Sequence, residues 1–316
     1  RREGCSAVRC SSFHPGAAAD AAARAAAERM CAPAWFVPGY MKAATSFVFD
    51  AIAHHPQVLP ALRGPQFKET GVYFDKEMKR PDALRYRLSS FPFIEEGEPF
   101  ITGDGTVYYV TDRNAIHHIA RDNPHAKAVI AVRDPVERAW SEYRFVYHSF
   151  ASRGSFDSIA LAAVQPGSRL HRVRELCASN RSTEEVLSVM RRGGMGRNSA
   201  LLGQSVYFPD VHRWIQAWGR DRVMVVPAEE LQGPRQPEVI SSIYRFLGLC
   251  DYNTSGLPKV HSTKVAVKES HKITPKTRQF LRDFFEPINQ RLYDVLGRDL
   301  GWSQLTYDKK KRRRRR

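Results

Sequence analysis

Apolar and polar positions along the chain switch between two periods. Trp35, Phe36 and Val37 form a short apolar run that stops at Pro38 and Gly39, which predicts a buried strand entering a tight turn. From Thr45 onward, Phe47, Val48, Ala51 and Ile52 take helical spacing as far as Pro56. Residues 128–132 are a second buried strand, ended by Arg133, Asp134 and Pro135, and a helix follows through Ala139, Tyr143 and Val146. Val211, Trp214, Ile215 and Trp218 recur at the i, i+3, i+4, i+7 spacing of an amphipathic helix, and residues 223–226 are a third strand. Leu281, Phe284, Phe285, Ile288, Leu292, Val295 and Leu296 keep helical spacing to the end, and Pro287 is expected to divide that pattern into two helices. Strands alternating with helices predict an α/β fold with a mainly parallel sheet covered on both faces.

The two ends carry no such pattern. Residues 1–33 are alanine-rich over 17–30 and read as a flexible leader, with a helical stalk as the alternative. Residues 304–316 read as a tail, and its last stretch, 309–316, is entirely Lys and Arg. The span between, 34–303, is read as one domain. A chain of 316 residues with 42% hydrophobic content can bury a core of that size.

Charge narrows the ligand. The formal net charge is +16, and removing the eight charges of the terminal run leaves +8 on the body. A basic body suits an anionic partner such as a nucleotide, a sulfated glycan or a nucleic acid. Cys5, Cys10, Cys31, Cys177 and Cys250 form no CxxC pair, which argues against a zinc site and is compatible with one or two disulfides. No stretch approaches the roughly 20 apolar residues of a membrane span.

The first strand-loop-helix has the parts of a phosphate cradle. The strand ends, small residues turn, Lys42 stands in the turn, and Thr45 and Ser46 open the helix. Free N–H groups at a helix start attract an anion, and hydroxyl residues there can cap the helix or bond phosphate oxygens. Read alone, the segment is equally an ordinary capped helix with a surface lysine. It is not a Walker motif, because no glycine precedes a lysine at the helix start. Arg133 stands at the carboxyl end of a buried strand, where open α/β sheets bind ligands. With Ser141 on the next helix, it can clamp one phosphate through its planar fork. The competing reading pairs Arg133 with Asp134 or Glu137.

Taken together, the two segments resemble the PAPS-dependent sulfotransferases (PAPS is 3′-phosphoadenosine 5′-phosphosulfate), especially the Golgi enzymes that act on glycosaminoglycans. Residues 133–143 match the family's "R-D/N-P-x-x-R-x-x-S-x-Y" at every fixed position, while Lys42, Ala43, Ala44 and Thr45 depart from its "K-G-G-T" by replacing both glycines. His55, Pro56 and Val58 resemble "HPxV". Lys68 and Glu69 resemble the "KE" ahead of an aromatic pair, here Tyr73 and Phe74, with one extra residue between. Gly103, Asp104, Thr106 and Tyr109 resemble "GE-x-S/T-P-x-Y", with Asp104 for Glu and Val107 for Pro. Tyr207 to Leu231 and Phe284 to Asp299 resemble two later stretches in the same order.

The resemblance implies a P-loop-like three-layer fold and PAPS as sulfuryl donor, without a metal. It implies a carbohydrate hydroxyl as acceptor, on a glycan or proteoglycan chain, and no nucleic-acid partner. It implies residence in the Golgi lumen, with any membrane contact made through an anchor outside this chain. Glu69 is the implied base, and Lys42 the neutraliser of the leaving oxygen. Lys42, Ala43, Ala44, Thr45 and Ser46 are implied to hold the phosphosulfate, and Arg133 and Ser141 the 3′-phosphate. Lys264 or Lys268 is implied to reach that phosphate from a late loop, and Lys68 and Asp104 to meet the substrate. His54 and His55, also weighed as bases, read better as capping or packing residues. Two other readings stay open: a non-catalytic polyanion-binding protein on the same fold, and an ATP-dependent P-loop phosphotransferase.

Overall fold

The computed structural model describes residues 12–13, 20–147, 154–191, 201–254, 256–257 and 265–304. The chain divides into two compact units: Arg1–Arg133 with Asp210–Lys264, and Asp134–Pro209 with Val265–Arg316.

The first unit holds the sheet. Its strands are β1 (Trp35–Phe36), β2 (Gly103–Asp104), β3 (Lys127–Val132) and β4 (Val223–Pro227), in the order β2-β1-β3-β4. Every pairing is parallel, with Trp35 opposite both Gly103 and Lys127, and Ala128 opposite Val223. The three apolar runs read from sequence are β1, β3 and β4; Trp35, Phe36 and all five residues from Ala128 to Val132 are fully buried, as strands covered on both faces must be. β2 lacks an apolar signature.

The longer helices of this unit are α1 (Ala21–Arg29), α2 (Thr45–Ala53), α3 (Arg113–Asp122), α8 (Phe208–Trp218, joining the unit from Asp210) and α9 (Gln236–Leu247). α2 packs on β3 and α9, and α9 packs on β4. Trp214 and Trp218 are core residues that donate their indole N–H groups to the carbonyls of Val110 and Ile116. Part of the segment read as a flexible leader is α1. Asp20 caps it and pairs with Arg85, Ala23 and Ala27 are buried, and it packs on the short helix Ala83–Leu88. The small alanine side chains permit that close packing, which the composition concealed.

The second unit is helical: α4 (Pro135–Phe145), α5 (Phe156–Val164), α6 (Arg169–Ala178), α7 (Thr183–Arg191) and α10 (Pro275–Leu296). α10 packs on α4, α5 and α6. Contrary to expectation, Pro287 does not divide α10, which runs unbroken for 22 residues. Phe284, Phe285, Ile288 and Leu292 are buried on both sides of the proline, while Asp283, whose carbonyl loses its N–H partner, is exposed to solvent. Burial of the apolar stripe outweighs one missing hydrogen bond.

Candidate active site

The site is built where β1 and β3 end. Past β1 the chain stays pinned to β3: Tyr40 N–H donates to the Ala131 carbonyl at 2.8 Å, and Ala131 N–H to the Gly39 carbonyl at 2.9 Å. It then turns through Lys42 (φ 66°) and Ala44 (φ 69°), both left-handed, and enters α2. The N-cap of α2 is Ala44 rather than Thr45 or Ser46, and no side chain caps it. The first-turn N–H groups are therefore not consumed by a capping oxygen, and the helix dipole points the same way.

Arg133 follows β3 directly, and its Nη1 donates to the Lys42 carbonyl at 3.3 Å. Both predicted cations thus stand at the carboxyl edge of one parallel sheet. The acids weighed as partners for Arg133 have their own roles in the second unit. Asp134 caps α4 by accepting from Val136 and Glu137 N–H, and also accepts from Arg282; Glu137 pairs with Arg278. Burial holds the Asp134 carboxyl above the usual carboxylate value, opposed by Arg282.

Lys68 and Glu69 meet the same loop. Lys68 Nζ donates to Ser46 Oγ at 3.4 Å and to Glu69 Oε1 at 3.1 Å, with the lysine side chain 5% exposed and the glutamate 30%. A nearly buried ammonium is tolerable because a carboxylate pairs with it. Glu69 keeps access to solvent, which a base acting on an incoming hydroxyl requires.

No family model matches the chain. Over 289 residues it is 23% identical to heparan sulfate glucosamine 3-O-sulfotransferase 3A1 of Mus musculus, covering 85% of this chain and 64% of that protein. Over 313 residues it is 21% identical to carbohydrate sulfotransferase 15 of Homo sapiens, covering 84% and 54%. The chain is thus similar to sulfotransferases over most of its length. It spans less than two thirds of the length of either curated relative. The crystal structure of a sulfotransferase from Alicyclobacillus acidocaldarius shares the fold, with a TM-score of 0.56 at 19% identity over 86% of this chain and 99% of that one.

The remaining predicted residues fall into three groups. Asp104 differs from the expectation of a substrate contact. It is fully buried and accepts hydrogen bonds from Thr70 N–H (3.3 Å), Thr106 N–H (2.8 Å), Thr106 Oγ1 (2.7 Å) and Tyr109 OH (3.1 Å), and from Thr70 Oγ1. It positions the Glu69 segment from behind. Desolvation pushes its carboxyl above the usual value, against the lowering effect of the Thr70 and Thr106 hydrogen bonds. The motif that joins Asp104, Thr106 and Tyr109 in the sequence is here one hydrogen-bond network, to which Thr70 is added.

His55 is buried between Tyr244 and Tyr252, at ring distances of 4.9 Å and 5.3 Å. Its Nδ1 accepts from Gln57 N–H at 3.1 Å, so Nε2 carries the proton toward the Cys250 carbonyl at 3.0 Å. Packing, as expected, and not base chemistry, accounts for it. Cys250 and Cys31 are both disulfide-bonded, and Cys177 is a free, buried thiol that burial pushes up to about 11.

The third group lies in the second unit. Ser141 is nearly buried on α4. Arg138, the second arginine of its motif, is fully buried, binding Glu142 at 2.7 Å, Ser205 at 2.6 Å and the Leu201 carbonyl, which makes it a core clamp. Lys268 is exposed and its N–H donates to Tyr147 OH at 3.3 Å; Lys264 and His261 lie outside the described residues.

Proposed function

We propose that this chain transfers a sulfuryl group from PAPS to a carbohydrate hydroxyl and releases adenosine 3′,5′-bisphosphate. The observation that carries the reading is the convergence of Lys42, Arg133, Ser46, Lys68 and Glu69 on one strand-loop-helix at the carboxyl edge of the sheet. The fit to a phosphosulfate is chemical: a left-handed turn, first-turn N–H groups without a side-chain cap, and cations on either side.

The donor supplies an activated sulfur with a phosphate leaving group. Lys42 to Ser46 hold the phosphosulfate by N–H and hydroxyl groups, and Arg133 takes the 3′-phosphate; Ser141 and a lysine of the late loop, Lys264 or Lys268, are phosphate ligands by family resemblance alone. Glu69 accepts the proton as the acceptor oxygen forms its bond to sulfur. The bridging S–O bond breaks, its electron pair stays on the phosphate, and Lys42 neutralises that oxygen. Lys68 orients Glu69 and lies beside the sulfuryl position.

The relatives support the acceptor class, since their names specify heparan sulfate glucosamine and carbohydrate. The basic body suits an anionic glycan. Disulfide-bonded Cys31 and Cys250 fit an oxidising compartment such as the Golgi lumen. Among the described residues no helix is long and apolar enough to cross a membrane. Labelled PAPS offered with heparan-type glycans, chondroitin-type glycans, steroids and tyrosyl peptides tests the reading. Label is expected on a glycan. Label only on the steroid or peptide would overturn the acceptor, and ATP turnover without sulfate transfer would overturn the reaction.

A further inference from the structure

The geometry points to Gly105 as a positioning residue that acts through Lys68: its missing side chain is the space in which the Lys68 stem lies, and that stem sets where the ammonium meets Ser46 and Glu69. The inference rests on the sulfotransferase reading above and adds to it a residue that touches neither donor nor acceptor.

The strand explains the placement. Successive residues of an extended segment face opposite sides, so Gly103 and Gly105 share one side and Asp104 takes the other. Asp104 spends its side on the Thr70, Thr106 and Tyr109 hydrogen bonds. The glycine side is bare, and larger groups occupy it. A Cβ on Gly103 would fall within 2.4 Å of the Trp35 ring. A Cβ on Gly105 would lie 2.7 Å from Lys68 Cγ, 2.8 Å from Lys68 Cε and 2.7 Å from Phe49 Cδ2.

Lys68 is held there twice. Its carbonyl accepts from Gly105 N–H at 2.7 Å, and its stem crosses the same residue before Nζ reaches Ser46 and Glu69. The two obstacles to a side chain at 105 differ in how far they can yield. Phe49 is buried with its ring 5.2 Å from that of Trp35, itself fully buried in β1. The lysine stem is the softer partner, because it ends in a charged group that water can solvate elsewhere. A methyl group at 105 therefore displaces the ammonium. Displacement by an ångström is enough to separate a base from its orienting partner.

The test is Gly105→Ala, made in the wild-type chain and in Lys68→Met, which keeps most of the stem and removes the charge. In the wild-type background kcat should fall about tenfold or more, with the affinity for adenosine 3′,5′-bisphosphate within about twofold, since that ligand lacks the sulfuryl group. In the Lys68→Met background the same substitution should cost less than about twofold, because the group it displaces is already gone. An equal loss in both backgrounds, or no loss in the first, overturns the inference. Failure of the wild-type chain to bind the bisphosphate or to transfer sulfate counts against the sulfotransferase reading instead. If Gly105→Ala does not fold, Phe49→Leu in the same chain removes the ring collision and leaves the lysine contacts, and the comparison is repeated there with the same two outcomes.

Discussion

The guanidinium of Arg133 donates to the main-chain carbonyl of Lys42 at 3.3 Å, tying the end of β3 to the turn that follows β1. One side chain thus braces the loop. Loss of the arginine should be felt in the nucleotide before it is felt in the acceptor.

Arg133→Ala should remove most of the preference for adenosine 3′,5′-bisphosphate over AMP. A charge-assisted contact is worth about 1.5–3 kcal/mol, roughly ten- to 150-fold in affinity. Calorimetry with both nucleotides reads it directly. Equal affinities in the wild-type protein would remove the 3′-phosphate from this site.

Glu69→Gln keeps the shape of the side chain and its contact with Lys68 while abolishing basicity. Nucleotide affinity should hold, and kcat should fall by about 10²–10⁴. Lys42→Ala should instead weaken both binding and turnover. Near-normal turnover by Glu69→Gln would move the base elsewhere, and the burial of Asp104 leaves it poorly placed to take over.

Ala44→Gly should stabilise the protein. Ala44 holds φ 69°, a left-handed conformation that costs an alanine roughly 1–2 kcal/mol. The extra freedom of glycine in the unfolded chain returns about 0.5–1 kcal/mol of that. A net gain of about 0.5–1 kcal/mol corresponds to a Tm higher by roughly 1–4 °C, measurable by calorimetry. An unchanged or lower Tm would mean that the turn is not strained.

His55 makes stability depend on pH. Burial depresses its folded-state pKa, opposed by the Cys250 carbonyl. Below the ordinary imidazole value of about 6.5 the unfolded chain takes up a proton that the folded chain resists. The stability it contributes is therefore complete above that value and declines as pH falls toward the depressed one. Urea midpoints from about pH 7.5 to 5 should decline less steeply in His55→Gln than in the wild type. Parallel profiles would show that this histidine is not responsible.

Most of the sheet is legible in the sequence because β1, β3 and β4 are continuous apolar runs, and continuous runs are what two-sided burial requires. β2 is not legible, since a glycine and an aspartate carry no apolar signal and are buried by hydrogen bonds and a neighbouring ring. Residues 151–196 carry no family motif, yet α5, α6 and α7 all fall there, each with its own buried face. Lys42 and Arg133 were found because a basic residue after a buried strand points to the carboxyl edge. Lys68 and Glu69 came from the family motif. Gly105 came from neither, because the meaning of an absent side chain lies in what fills its place.

The strand order has a consequence for how the protein is made. β1 sits between β2 and β3, and β4 lies beyond, so the first strand synthesised pairs only with strands that follow it. A chain leaving the ribosome exposes Trp35 and Phe36 with no neighbour until Asp104 has emerged, and without the second until β3 follows. The first unit cannot close until Asp134–Pro209, which belongs to the other unit, has been passed. Long-range parallel pairing of this kind is slow and leaves apolar edges uncovered in the interval. Yield on expression should therefore respond to chaperone supply and to translation speed through the stretch between β3 and β4.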